Sequence, residues 1–466
     1  MPETFIHPEE IEGLLAGNRR PDRRQIEEIL AHAREAKGLN PPEVAALLNL
    51  EDPDLWQEVF RLAKELKLEI YGRRIVLFAP FYVSNHCAND CAYCGFRCSN
   101  TASERRALTV DEVRREVELL ERTGHKRLLM VYGEHPKYGV KYMAETIAAA
   151  YATRTSDPCG EIRRININAA PLDVPDYRVL KDLAIGTYQV FQETYHPGRY
   201  AELHPARTRK GDYAYRLYAL HRAQEAGLDD VAVGALFGLY DWKFEVLGIL
   251  YHALDMEKSL GVGPHTVSFP RLQPAINTPL YHETPYLVSD DDFRKLVAIV
   301  RLMVPYTGMI LTAREKPELR HEMYSLGVSQ IDGGTRIGIG GYSEKEKENI
   351  PERQQFTIYD TRSLDDVIRE LIELDYIPSF CTACYRSHRT GEAFMNLAKH
   401  GHAKDTCQPN AILTLKEFLL DYASPETRRV GDALLAREIE RLDARDHERV
   451  SRQVKEIEAG KRDLYF

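Results

Sequence analysis

The sequence predicts an α/β protein: a (β/α)8 barrel of the TIM type with a helical N-terminal extension and a mainly helical, cysteine-bearing C-terminal domain. Three observations carry that expectation. Eight short apolar runs alternate with amphipathic helical stretches. No Gly-rich turn follows the first run, which disfavours an open doubly wound sheet. Polar residues and glycines gather at the ends of successive runs, where a barrel carries its chemistry. The expected division is residues 1–72, 73–378 and 379–466.

Residues 1–72 read as helix. Asn40-Pro41-Pro42-Glu43 is a helix start, and Leu55, Val59, Leu62 and Leu66 share one face at helical spacing. The expected strands are 74–83, 127–134, 163–170, 187–194, 230–239, 265–272, 308–315 and 329–337. Between them lie expected helices 109–123, 142–154, 212–226, 243–258 and 289–304, with 363–375 as the eighth. From Thr414 onward the tail reads as helix, restarted by Ser424-Pro425-Glu426.

With 466 residues the chain can bury a large core. Its formal charge of −9, from 62 basic and 71 acidic residues, argues against a nucleic-acid partner. The apolar stretch 231–240 is too short to cross a bilayer, and Met1–His7 carries no secretory pattern, so a cytoplasmic protein without a membrane partner is expected. Six of the eight cysteines fall into two compact groups, which reads as ligand duty in a reducing compartment. Cys98 and Cys159 are left over as structural thiols.

The first strand runs into Cys87-Ala-Asn-Asp-Cys91-Ala-Tyr93-Cys94. Three thiols at C-x3-C-x2-C spacing let one loop wrap three corners of an iron–sulfur cube. Zinc suits thiolates equally, but it, like an electron-transfer cluster, wants a fourth ligand. Cys98 offers one without the Pro of a ferredoxin run, so the economical reading leaves one iron open for a substrate or cofactor. Tyr93 adds a flat ring suited to a nucleoside.

At the expected carboxyl rim, strand two ends in Gly133-Glu134, strand four in Glu193-Thr194 and strand seven in Arg314-Glu315. Strand eight passes through Asp332 to Arg336. Two cations, Arg314 and Arg336, inside a barrel mouth need an anion, and an amino-acid carboxylate is the obvious one. The alternative is internal pairing with Glu315 or Asp332. Gly234 and Gly238 would let the backbone approach a ligand. Gly338-Ile-Gly340-Gly341-Tyr342 matches no phosphate-binding pattern, and residues 343–348 read as a solvated charged face.

The tail holds Cys381-Thr-Ala-Cys384 and then Cys407, a second trio of thiols. A zinc ribbon would end in a fourth Cys or His beside the third; His388 and His402 could still complete a tetrahedral site.

C-x3-C-x-aromatic-C at residues 87–94 resembles, at every defined position, the signature of the radical S-adenosylmethionine (SAM) enzymes. The resemblance implies a [4Fe-4S] cluster on Cys87, Cys91 and Cys94 whose open iron chelates SAM. It also implies that the Gly133-Glu134 backbone holds the SAM amino group, that Glu193 bonds the ribose hydroxyls and that Arg216 pairs with the SAM carboxylate. With the tail thiols included, the chain resembles the family's tyrosine lyases of FeFe-hydrogenase maturation, continuously from the cluster loop through Cys407. Arg73-Arg-Ile-Val-Leu-Phe-Ala-Pro80, Gly263-Pro-His265-Thr and Arg389-Thr-Gly-Glu-Ala-Phe-Met395 carry that likeness, and Cys98, where a basic residue is expected, departs from it.

That resemblance implies cleavage of L-tyrosine to p-cresol and dehydroglycine, the latter becoming carbon monoxide and cyanide for the hydrogenase active site. Cys381, Cys384 and Cys407 would hold a second, auxiliary iron–sulfur cluster, with or without an additional iron on His265. A reducing electron donor and hydrogenase maturation partners follow. His265 opens the sixth expected strand, at the rim opposite the SAM cluster, so the expectation is that this strand starts earlier or bends to turn His265 toward the cavity. The tyrosine lyase of thiamine thiazole synthesis (2-iminoacetate synthase) is the alternative; it shares the barrel and lacks the C-terminal cysteine domain. A non-catalytic iron–sulfur carrier is the reading from another class.

Overall fold

The structure, a computed structural model, describes residues 4–344, 350–401 and 403–466. Eight parallel strands close a barrel: β1 Arg74–Ser84, β2 Arg127–Tyr132, β3 Arg164–Asn168, β4 Tyr188–Gln189, β5 Val231–Gly234, β6 Thr266–Ser268, β7 Gly308–Leu311 and β8 Gln330–Asp332. Closure is by β8 against β1, with Val76 opposite Gln330 and Phe78 opposite Asp332. A parallel barrel sheathed in helices buries both faces of each strand, which is why these segments read as apolar runs rather than alternating ones.

The strands are shorter than the runs. The run 187–194 yields a two-residue strand, Tyr188–Gln189, and further along it Glu193 takes a left-handed backbone (φ 73°). A single Glu193–Ala235 bridge still holds that end to the neighbouring strand. The helix expected over 212–226 is two pieces, Tyr213–Leu217 and Ala219–Glu225, broken at Tyr218.

A ninth strand, β9 Ile377–Ser379, changes what the fold can do. It pairs parallel with Arg74–Val76, on the edge of β1 that β2 takes up from Ala79. The chain after the eighth helix, Leu364–Glu373, is thereby delivered to the amino end of the barrel. Proline at 378 is tolerated because a short edge strand need not donate at every residue. The helix Ala403–Asp421 packs over β9 and β1 and against the N-terminal helix Pro53–Tyr71. The tail helices Pro425–Glu440 and Ala444–Glu458 follow, the first capped by Ser424 as the sequence suggests. At the other terminus Asn40 and Glu43 form a capping box on Pro41–Leu48.

Candidate active site and second cysteine cavity

The cysteine loop leaves the carboxyl end of β1 and folds over the barrel mouth. Cys87, Cys91 and Cys94 border one cavity with Tyr93, Gly133, Glu134, Glu193, Lys210, Arg216, Arg314 and Gln355. Asn89 ties the loop down on two sides. Its amide donates to Glu134 Oε2 (2.5 Å), and its oxygen accepts from Lys210 N (3.1 Å). The Ala88 N–H donates to the Glu134 carbonyl (2.7 Å), and a side chain at Gly133 would collide with the His86 carbonyl, so glycine there is a requirement of close approach. Gln355 donates to the Cys94 sulfur (3.5 Å), and Tyr82 O–H bonds to Gln355 Oε1 (3.1 Å).

Glu193 lines the same cavity. Lys210 Nζ (2.6 Å) and Arg216 Nη2 (2.9 Å) both bond to its Oε1, and among the described residues no donor is recorded on Oε2. Burial would raise this carboxyl, but Lys210 and Arg216 outweigh it and hold it at about 2. Burial pushes the Cys91 thiol up to about 12, with Lys210 as the main opposing charge. The Tyr93 hydroxyl meets His204 Nε2 (2.8 Å), while Nδ1 of that ring faces the Tyr200 carbonyl (2.8 Å). With Nδ1 as donor, Nε2 accepts from Tyr93, and the phenol ring is locked at the cavity wall.

Arg314 reaches the same cavity. Its guanidinium lies 3.3 Å from the centroid of the Phe356 ring and donates to the Arg271 carbonyl (3.3 Å), and no carboxylate pairs with it among the described residues. Glu315 is taken by Arg271, and Asp332 by Arg320 (3.3 Å), so neither internal pairing considered for Arg314 or Arg336 is formed with those acids. Arg336 is not brought to this cavity. Its guanidinium donates to the Thr335 (2.8 Å) and Thr361 (3.2 Å) carbonyls, away from Arg314. Below the mouth the barrel lumen continues, lined by Phe78, Leu129, Gln189, Ser268, Ile310 and Asp332.

A second cavity lies at the opposite end, among strand starts. Cys381, Cys384 and Cys407 line it with Arg74, Arg127, Asp230, His265, Gly308, Gln330 and Arg389. Cys407 is the thiol drawn down, to about 6: its hydrogen bond from Cys384 leads, burial opposes, and Arg74 and Arg389 assist. Burial raises Cys381, and the bond to Cys407 raises Cys384. His265 directly precedes β6, its N–H bonded to the Val231 carbonyl (2.9 Å), and its ring lies tilted against that of Phe394 (centroids 4.6 Å apart). Burial lowers its pKa, leaving a neutral imidazole.

His265 therefore neither bends toward the mouth nor starts its strand early. It stays at the amino rim, and β9 brings the tail thiols to it. Of the zinc alternatives, His402 lies outside the described residues, and His388 does not line this cavity. Residues 345–348 of the charged run also lie outside them. The Gly338–Tyr342 loop has its amides engaged internally: Tyr342 N and Ser343 N hold the buried Glu116 carboxylate (3.0 and 2.9 Å).

Both trios fit a thiolate-ligated cluster. Among the described residues no three His, Cys, Asp or Glu groups converge as a single ion requires, and each trio instead borders an opening. At the amino end the buried Nε atoms of Arg74, Arg127 and Arg389 lack hydrogen-bond partners, which an anionic cluster would answer, while His265 Nδ1 lies 3.5 Å from Asp230 Oδ1.

Comparison with known proteins bears on the family directly. Residues 81–247 match the radical SAM superfamily, and residues 268–377 match the biotin and thiamin synthesis associated domain. The 2-iminoacetate synthase of Salmonella typhimurium is 30% identical over 341 residues, 73% of this chain and 86% of that protein. A crystal structure of HydG, a maturase of the [FeFe]-hydrogenase, superposes with a TM-score of 0.95 at 48% identity, covering 99% of this chain and 100% of that one. The chain belongs to the radical-SAM family. Its likeness to HydG extends to the FeFe-hydrogenase maturase HydG from Carboxydothermus hydrogenoformans, with 39% identity, a TM-score of 0.84 and coverage of 96% and 97%.

Radical-SAM membership brings a [4Fe-4S] cluster and SAM, and the three thiols of the mouth cavity are the ligand set at hand. Sequence reasoning missed Lys210, Gln355, Asn89 and His204. Lys210 sits in Thr208-Arg209-Lys210-Gly211, indistinguishable by pattern from exposed cations beside it. Among the described residues no helix is long and apolar enough to cross a membrane.

Proposed function

We propose that this chain cleaves L-tyrosine to p-cresol and dehydroglycine, and that the latter becomes carbon monoxide and cyanide for the active site of an FeFe-hydrogenase. The reading is supported by the near full-length likeness to the HydG maturases. When bound, the cluster and SAM supply one-electron reduction and a hydrogen-abstracting radical. The residues do the rest. Cys87, Cys91 and Cys94 hold the iron, and Glu193 offers Oε2 to the ribose hydroxyls while Lys210 and Arg216 keep it ionised. Arg314, without a carboxylate partner among the described residues, takes the tyrosine carboxylate. The lumen wall excludes water from intermediates.

The observation that favours maturation over thiazole synthesis is the second cavity at the far end of the same lumen. There Cys381, Cys384 and Cys407 would hold an auxiliary iron–sulfur cluster and His265 an additional iron, which together would supply a site for receiving carbon monoxide and cyanide. Residues 379–466 then act as a second module, fed by small intermediates that cross the lumen. An electron donor and the receiving maturation proteins are the partners this requires.

The test is C384S in reduced holoenzyme supplied with SAM and tyrosine. It is expected to release p-cresol at close to the parent rate while the Fe–CO and Fe–CN infrared bands vanish. Loss of both signals would make the tail a brace for the barrel, and retention of both would leave its thiols without iron that matters.

A further inference from the structure

Glu193 is the pivot of the mouth cavity, yet its backbone is left-handed, a conformation a glutamate adopts only when its surroundings enforce it. The enforcing contacts lie on the far side of the chain. The two residues after Glu193 peel away from the barrel toward the helix Trp242–Leu260, and three successive turns of that helix receive them.

In the first turn, Glu245 is fully buried. Its Oε1 accepts the Thr194 hydroxyl (2.5 Å), and its Oε2 accepts the Tyr195 N–H (2.8 Å). In the second turn, Gly248 opens the helix surface for the Tyr195 ring; a side chain there would come within 2.5 Å of it. In the third, His252 Nδ1 meets the Tyr195 hydroxyl (2.9 Å). From the other flank, Tyr213 O–H donates to the Tyr195 carbonyl (2.7 Å), and Tyr213 opens the short helix that carries Arg216. Glu193 thus has its side chain held by Lys210 and Arg216 and its following backbone held by Glu245. None of the groups that grip Thr194 and Tyr195 lines the cavity.

We infer that Glu245 is a positioning residue for SAM binding: by clasping Thr194 and Tyr195 it fixes the left-handed turn that aims Glu193 Oε2 at the nucleoside. A buried carboxyl with no cation on it is costly to keep, and its two acceptor oxygens are spent on the backbone amide and hydroxyl that follow Glu193. Glutamine can reproduce both bonds, its oxygen accepting from Tyr195 N–H and its amide donating to the Thr194 hydroxyl. Alanine leaves a buried N–H unpaired.

The inference rests on the reading of Glu193 given above, and its test separates the two. SAM affinity is measured by anaerobic equilibrium dialysis on holoenzyme for E245A, E245Q, T194V and E193A, together with amide exchange of the peptide spanning 191–197. E245A is expected to weaken SAM binding about tenfold or more and to speed exchange at 194–196. The turnover rate at saturating SAM should stay within about threefold, because a lost positioning contact appears first in the ground-state complex. E245Q should restore affinity to within about threefold. T194V removes one of the two bonds and lies between, and it decides the matter together with E245Q should E245A not fold. Unchanged SAM affinity in E245A beside a damaged E193A overturns the positioning role alone. An unchanged E193A overturns both, and E245Q as poor as E245A overturns the hydrogen-bonding argument on which the inference stands.

Discussion

Replacing Lys210 with methionine removes the ammonium on Glu193 while keeping much of the side chain's bulk. At 2.6 Å, with an effective dielectric of about 20, the attraction lost is on the order of 6 kcal/mol. Two terms return most of it. Arg216 stays on the same oxygen at 2.9 Å, and the burial of a lysine that is only 12% exposed no longer has to be offset. The remainder, about 2 kcal/mol, is roughly thirtyfold in binding. K210M should therefore bind SAM roughly thirtyfold more weakly than the parent in equilibrium dialysis. K210R, which restores a cation, should recover most of that. The backbone bond from residue 210 to Asn89 survives both substitutions, so iron content should be unchanged. SAM affinity within twofold of the parent, at equal iron content, would refute the assignment of Glu193 as the nucleoside acceptor held by this pair.

Other outcomes follow from the same geometry. C91A should abolish 5′-deoxyadenosine formation while leaving the far-ultraviolet spectrum and melting temperature near the parent's, since the cysteine loop lies outside the barrel ladder; undiminished cleavage would sink the cluster assignment. H265A should keep p-cresol output within about twofold and lose the iron–carbonyl and iron–cyanide bands, because the imidazole faces only the amino-end cavity. Loss of p-cresol as well would mean that His265 braces the barrel floor. Glu245 is pushed up to about 8 from an ordinary 4.5 by burial. An acid raised by folding is uncharged and harmless below its unfolded value, and costs about 1.4 kcal/mol per pH unit as pH climbs toward the folded one. The parent should therefore lose stability relative to E245Q between pH 4.5 and 8, read as a fall in the parent-minus-E245Q difference in melting temperature over that window; parallel curves would show that Glu245 does not titrate there.

The barrel was legible because its strands are buried on both faces and so write themselves as apolar runs. That three thiols share the mouth cavity was legible because their spacing on one loop is a local pattern. What the sequence conceals is what depends on pairing between distant segments. His265 reaches the tail thiols not by the early start or bend expected of its strand but because β9 lies beside Arg74–Val76, a pairing no periodicity announces. Lys210 is one cation among several in its turn, and it is singled out by partners distant in sequence, Glu193 on its ammonium and Asn89 on its backbone N–H. Arg314 and Arg336 carry the same charge and lie on neighbouring strand ends, but the turn after β8 sends the second outward to Thr361. The left-handed turn at Glu193, near the end of the run 187–194, leaves no mark on hydropathy.

The first strand serves both ends of the molecule. β9, which leads to Cys381, is in register with its start at Arg74–Val76, and the loop to Cys87 leaves its end at Ser84. Between Val76 and Ser84 the backbone rises about 3.3 Å per residue, so the strand spaces its two attachment points by about 26 Å. It acts as a ruler. The spacing is set by peptide geometry and locked by neighbours on both edges, which fixes the separation of the two cysteine cavities. Deleting one residue inside that span would shorten the ruler by about 3.3 Å and turn every lumen-facing side chain beyond it outward. The length of β1 is thus a constraint on the chemistry at both ends.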